Sequence, residues 1–186
     1  MSRVIVNDKM QFGYSYLIQE PMGKNFHTDF KPELTPKEML SLGVFGGKYM
    51  TDCINEFPAD WFVSAKLSPQ KKNINLNYYK VDASLPLYHW QIKGWIYSED
   101  PRGWFQWYCR YYLGRRTKDD ERQIKRWGNF CGKKGRWRNY IYRKIFDKNT
   151  TVDDHSFSRA VRQSLLHWGY SVNQADYDIW KIQNGY

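Results

Sequence analysis

Residues 100–116 read Asp100-Pro101-Arg102-Gly103-Trp104-Phe105-Gln106-Trp107-Tyr108-Cys109-Arg110-Tyr111-Tyr112-Leu113-Gly114-Arg115-Arg116. Asp100 is a capping residue, Pro101 suits the first helical position and Gly114 suits a left-handed stop, so a helix is predicted from about Pro101 to Leu113. Arg102, Gln106 and Arg110 fall at i, i+4 and i+8 and form one polar stripe, while Trp104, Phe105, Tyr108, Tyr111 and Tyr112 occupy the other faces. A helix that is aromatic on most sides belongs in an interior. Its Arg–Gln–Arg stripe then needs partners, either internal carboxylates such as Asp119 and Asp120 or an external phosphate or base.

C-terminal to this helix, Gly114-Arg115-Arg116-Thr117-Lys118 is a basic turn, and Asp119-Asp120 can cap a second helix from Glu121 to about Phe130. That helix carries Gln123, Arg126 and Trp127 at i, i+3 and i+4, and the join matches a helix-turn-helix in outline only. A second basic turn holds Lys133, Lys134 and Arg136, and residues 140–146 are compatible with a helix. From Phe157 to Trp168, the positions of Phe157, Val161, Leu165 and Trp168 mark one apolar face. Arg159, Arg162 and Gln163 lie largely outside it, and His167 reads as a surface residue on a core helix.

Towards the N-terminus the signals weaken. Residues 1–34 show no clear periodicity and read as an irregular or partly extended arm. Thr35-Pro36-Lys37-Glu38 is a capping box with proline at the first helical position, and Gly43 can end that helix. Residues 43–50 read as a glycine-rich turn leading into a second short helix from Lys48 to about Asn55. The turn is either a tight structural turn or an anion-binding one with Lys48 beside it. Ile74 to Tyr78 alternates like a short strand, and Leu87 to Lys93 reads as a short helix ending at Gly94. The expected fold is mainly α: one compact helical domain over residues 35–172, an irregular N-terminal arm (1–34), a C-terminal tail (173–186) and at most a few short strands.

Charge and aromatics suggest what such a domain meets. The 186 residues contain 29 Lys and Arg against 19 Asp and Glu, a net charge of +10, and 18% of them are aromatic. Residues 102–144 hold 14 of the cations and only three acids, which leaves the rest of the chain near neutrality. Tryptophan and tyrosine interleave with these cations. Lys and Arg neutralise phosphates and release counterions, and aromatic faces stack on bases at ~1–3 kcal/mol each. Equally, the rings can be core and the cations a solvated face.

Other classes are disfavoured. The N-terminus lacks the apolar region of a signal peptide, and no stretch approaches the ~18 apolar residues of a membrane span. Cys53, Cys109 and Cys131 are too few and too widely spaced for a disulfide framework or, with four scattered histidines, a zinc site. No GxSxG, HExxH, Walker A or Rossmann motif is present, and Gly46-Gly47-Lys48 is not a P-loop because Tyr49 follows the lysine. Neither a metal nor a cofactor is expected. Asp52, Asp119 and Asp120 are the candidate reactive carboxylates, although Asp119 and Asp120 also fit as helix caps.

Leu42-Gly43-Val44-Phe45-Gly46-Gly47-Lys48-Tyr49-Met50-Thr51-Asp52, Glu56-Phe57-Pro58-Ala59-Asp60-Trp61-Phe62 and residues 100–116 together resemble a family of small proteins from bacteria, phages, fungi and plants. Arg122-Gln123-Ile124-Lys125-Arg126-Trp127 and Arg162-Gln163-Ser164-Leu165-Leu166-His167-Trp168 fit the same pattern. The resemblance covers most of residues 33–170. It implies a shared fold and a shared site around Arg102, Gln106, Arg110, Arg115, Arg116, Arg122 and Gln123, and no named chemistry.

The first functional expectation is a nucleic-acid-binding protein, with DNA ahead of RNA. Its phosphate contacts would come from Arg102, Gln106, Arg110, Arg115, Arg116, Arg122, Gln123, Arg126, Lys48, Lys133, Lys134 and Arg136. The alternative is an enzyme acting on a nucleotide or DNA base, with Asp52, Asp119 or Asp120 in an aromatic and arginine-lined pocket. A module whose cations meet an acidic protein is the third. The expected partner is nucleic acid or a nucleotide rather than a membrane. The expected location is the cytoplasm, or the nucleus or nucleoid if the source is eukaryotic or the protein is DNA-bound.

Overall fold

The computed structural model describes residues 2–186. In chain order it contains β1 (Ser2–Val6), β2 (Tyr14–Ile18), α1 (Pro36–Leu42), α2 (Leu87–Ile92), α3 (Trp104–Leu113), α4 (Asp120–Cys131), α5 (Arg136–Asp147), α6 (Arg159–Leu166) and α7 (Gln174–Gln183). Helix dominates, and one two-stranded sheet accompanies it among the described residues.

α3 is the axis of the core, with every residue from Trp104 to Tyr111 buried. It starts later than its sequence suggests. Gly103, at φ 83°, precedes it, and the Asp100 side chain turns inward to two arginines instead of capping the helix. Its end follows the expected chemistry. Gly114 sits at φ 109°, and a Cβ there would lie 1.9 Å from the carbonyl oxygen of Glu20. Only glycine fits a left-handed residue against another backbone so closely.

The N-terminal segment, expected to be irregular or partly extended, is extended over two short strands and packs on the helices. β1 and β2 form an antiparallel hairpin in which Val4 faces Tyr16. Residues 19–34 then run along α3. The amides of Gln19 and Glu20 donate to Gly114 O, Gly23 N donates to Tyr112 O, and the Tyr108 hydroxyl donates to Leu34 O. Phe30 is 1% exposed and lies 5.4 Å from Trp107, 5.5 Å from Tyr108 and 5.2 Å from Trp127, ring centre to ring centre. Edge-on ring packing of this kind stabilises beyond area burial. The C-terminal segment is also part of the core. α7 buries Tyr177 and Trp180 against Tyr142 of α5, and the Trp180 indole donates to Asn139. The arm, helical domain and tail expected from sequence therefore share one hydrophobic cluster.

α1 carries the predicted capping box between Thr35 and Glu38. Residues 48–55 do not form the expected helix, because Met50 takes a left-handed φ of 67° and leaves a run of turns before the single 3-10 turn Ile54–Glu56. The expected strand at 74–78 is likewise a 3-10 turn, Ile74–Leu76, since Tyr78 N donates to Gly43 O and the Asn77 side chain accepts from Gly46 N. α4 and α5 pack on each other and extend the predicted helices, with Ile124, Trp127, Ile141, Tyr142 and Ile145 turned inward. No described helix is long and apolar enough to cross a membrane.

Candidate functional site

The arginine stripe of α3 lies in the interior. Arg102, Arg110 and Arg115 are each at most 2% exposed. Burying a guanidinium is costly unless a carboxylate and enough acceptors accompany it. Four carboxylates do so. Arg102 forks onto Asp52 at 3.0 and 2.8 Å and reaches Asp8 at 3.1 Å. Arg110 forks onto Glu56 at 2.6 and 2.9 Å. Asp100 bridges the last two cations, with Oδ1 3.1 Å from Arg110 and Oδ2 2.5 Å from Arg115.

The cluster also clamps the N-terminal hairpin. Gln11 accepts from Arg110 Nη2, the Tyr14 hydroxyl accepts from Arg115, and the Tyr16 hydroxyl donates to Glu56. Tyr14 and Tyr16 place their rings 5.1 and 5.5 Å from the Arg110 guanidinium. Burial raises Asp8, but bonds from Arg102 and the amides of Met10 and Gln11 outweigh it and hold its carboxyl below the ordinary value. Burial opposes the charged form of Arg110, yet its bonds to Glu56 raise it further above its already high value. The stripe is therefore a charge-compensated polar core, and Arg102, Arg110 and Arg115 are not placed to grip an external phosphate. Gln106 is also fully buried, with Oε1 accepting from Arg102 N and Nε2 without a partner among the described residues.

The other predicted residues divide between interior and surface. Gln123 is buried and donates to Asp119, which also receives a two-bond fork from Arg122. Arg116 stacks 3.9 Å from the Tyr111 ring and donates to the carbonyls of Lys24 and Asn25. Asp120 accepts from the Trp107 indole and from Thr117, and Asp52 holds Arg102, so all three candidate reactive carboxylates are engaged within the fold. The glycine-turn amides are occupied too. Gly46 N donates to Asn77, Gly47 N to Val44, and Lys48 Nζ to Gln70 O, so this turn is structural rather than an open anion cradle. Lys133, Lys134 and Arg136 are exposed at the turn between α4 and α5.

His167 is buried, not on the surface. Burial pushes its pKa down to about 3, so the ring is neutral near pH 7. Phe45 N and Gln163 Nε2 both converge on its Nε2, which makes that nitrogen the acceptor. The His167 ring stacks on Phe45 at 4.2 Å.

His167 also lines a cavity of about 200 Å³ that sequence reasoning did not locate. Trp90, Trp95, Trp104, Phe130 and Trp168 are among its walls, and Arg126 supplies the cation. Trp168 lies 4.6 Å from Trp104 and stacks on Phe130 at 5.0 Å. No local pattern points to it, since its rings come from five separate segments of the chain. Asp52, Asp119 and Asp120 do not belong to its lining. The described residues contain no group of three or more His, Cys, Asp or Glu side chains that could hold a metal. The three cysteines are buried and free, and burial pushes the Cys53 thiol up to about 12.

No protein-family model, curated protein or solved structure matches this chain.

Proposed function

We propose that the protein binds nucleic acid through the outer surface of the α4–α5 hairpin, using cations that the interior leaves free. Residues 118–148 carry 11 Lys and Arg against four Asp and Glu. The observation that carries this reading is that Lys118, Lys125, Lys133, Lys134, Arg136 and Arg143 are exposed and, among the described residues, form no ion pair. Concentrated like charge without internal compensation repels itself and favours a polyanionic partner. Trp137 and Tyr140 stand among these cations, and Tyr140 is 38% exposed. Phosphate contact is thus assigned to the hairpin rather than to the stripe of α3.

Measuring affinity for a 20-base-pair DNA duplex, a single-stranded RNA and a poly-glutamate peptide against salt tests this proposal. Nucleic-acid affinity that falls steeply with salt and exceeds peptide affinity supports it. Equal binding to poly-glutamate, or no binding to either nucleic acid at low salt, refutes it.

A further inference from the structure

The tryptophan-walled cavity lies between the 83–96 segment, α3, α4 and α6, and the proposed polyanion surface does not use it. Gly103 sets one side. Ile96 Cδ1 and the Trp90 ring would lie 3.1 and 3.4 Å from a Cβ at that position, so the segment bearing both tryptophans rests directly on the start of α3. Trp95 and Leu85 are 43% and 51% exposed and leave the rim open to solvent.

Three features define what fits inside. The walls are aromatic, which favours a flat ring. The volume of about 200 Å³ exceeds the ~150 Å³ cavity that accepts benzene and falls short of the ~300 Å³ lower bound of drug-sized pockets, so one ring or a fused pair fits. Arg126 is the charged residue of the lining. Its recorded bonds, to Trp95 O at 3.3 Å and Gln123 Oε1 at 2.9 Å, both come from Nη1. The Nε and Nη2 hydrogens, the edge that grips a carboxylate with two parallel bonds, have no protein acceptor among the described residues. Burial and the neighbouring Arg122 lower the Arg126 pKa to about 10 against a smaller opposing pull from Asp119, so the guanidinium is charged at neutral pH and, among the described residues, makes no ion pair. Trp104 adds a buried indole Nε1 with no partner.

We propose that this cavity binds a small planar aromatic carboxylate, one ring or a fused pair, with its carboxylate on the free edge of Arg126 and its ring among Trp90, Trp104 and Trp168. Neutral His167 and the two serines of the lining, Ser84 and Ser164, bring no competing charge. The site is independent of the nucleic-acid proposal, because a monovalent ring compound is not a polyanion and Lys133, Lys134 and Arg136 lie outside the cavity lining.

Calorimetric titration of the whole protein with indole-3-carboxylate, benzoate, neutral indole and adenosine monophosphate tests the assignment. Indole-3-carboxylate is expected to saturate one site and to bind at least ~10-fold more tightly than indole, the scale of one charge-assisted contact. Arg126→Gln should remove that preference, so that indole-3-carboxylate and indole bind the variant alike. Arg126→Lys, which keeps the charge and loses the fork, should retain part of it. Thermal unfolding of both variants checks that each is folded. The proposal is overturned if no aromatic carboxylate saturates below ~5 mM, a weak limit on the affinity scale. It is also overturned by equal affinity for indole and indole-3-carboxylate, by an Arg126→Gln variant that keeps the preference, or by tighter binding of adenosine monophosphate.

Discussion

Arg110 and Glu56 stand 54 residues apart in sequence and meet in a two-bond fork, with Nε–Oε1 at 2.6 Å and Nη2–Oε2 at 2.9 Å. Both side chains are almost fully buried. The fork ties the turn before Pro58 to the central helix, and Asp100 extends it to Arg115. A hydrophobic pair of similar volume could hold these segments at comparable cost. A buried ionic cluster, however, strongly penalises the removal of either partner.

Glu56→Ala should therefore destabilise the protein by about 3–5 kcal/mol, because it strands a guanidinium in the interior. Urea unfolding of this variant beside Lys133→Ala, an exposed control expected within ~0.5 kcal/mol of the parent, makes the comparison. Similar midpoints for the two variants would remove Arg110 from its structural role.

Two glycines should respond in opposite directions. Gly114→Ala forces a Cβ against Glu20 O at φ 109° and should cost about 1–3 kcal/mol or more. Gly128 lies inside α4 with nothing within 4 Å of its would-be Cβ, so Gly128→Ala should stabilise by about 0.5–1 kcal/mol. Thermal unfolding of both variants decides, and a tolerated Gly114→Ala would contradict the close approach of residues 19–20.

His167 makes stability depend on acid. The unfolded chain takes up a proton at this ring near pH 6.5, whereas the folded chain does so only near pH 3. The unfolded state thus binds more protons between these values, and this contribution to stability is lost as pH falls from about 6.5 towards 3. Glu33 works the other way. Burial raises its carboxyl to about 7, so its contribution is greatest below the unfolded value and fades as pH rises through 7. The difference between parent and His167→Gln isolates the histidine: the parent's loss of stability from pH 6.5 to 4 should shrink in the variant. Parallel curves would mean that the ring titrates normally.

Much of the helical frame could be read from local signals. The capping box at Thr35, the Gly114 stop and the aromatic faces of α3 act within a few residues of themselves, and each is present in the structure. The Arg102, Gln106 and Arg110 stripe was also legible, but its partners were not. Asp8, Asp52 and Glu56 reach it from 50 or more residues away, and periodicity carries no information on such pairing. Residues 2–18 were legible only as partly extended, because tyrosine–arginine contacts across the fold hold the hairpin rather than a strong turn signal. α7 shows its apolar face only once Tyr142 and Phe146 are in place. The cavity draws rings from five segments, so only the tertiary fold assembles it.

The proposed phosphate contact at the α4–α5 hairpin has one most direct test. Fluorescence anisotropy of a labelled 20-base-pair duplex, followed across salt concentration, compares the parent with Lys133→Ala/Lys134→Ala/Arg136→Ala. The triple variant should fold as the parent does, bind at least ~10-fold more weakly at low salt and show a salt slope smaller by about 2–3, near one counterion for each lost phosphate contact. A variant with the parent's affinity and slope would contradict the assignment of these cations to a polyanion.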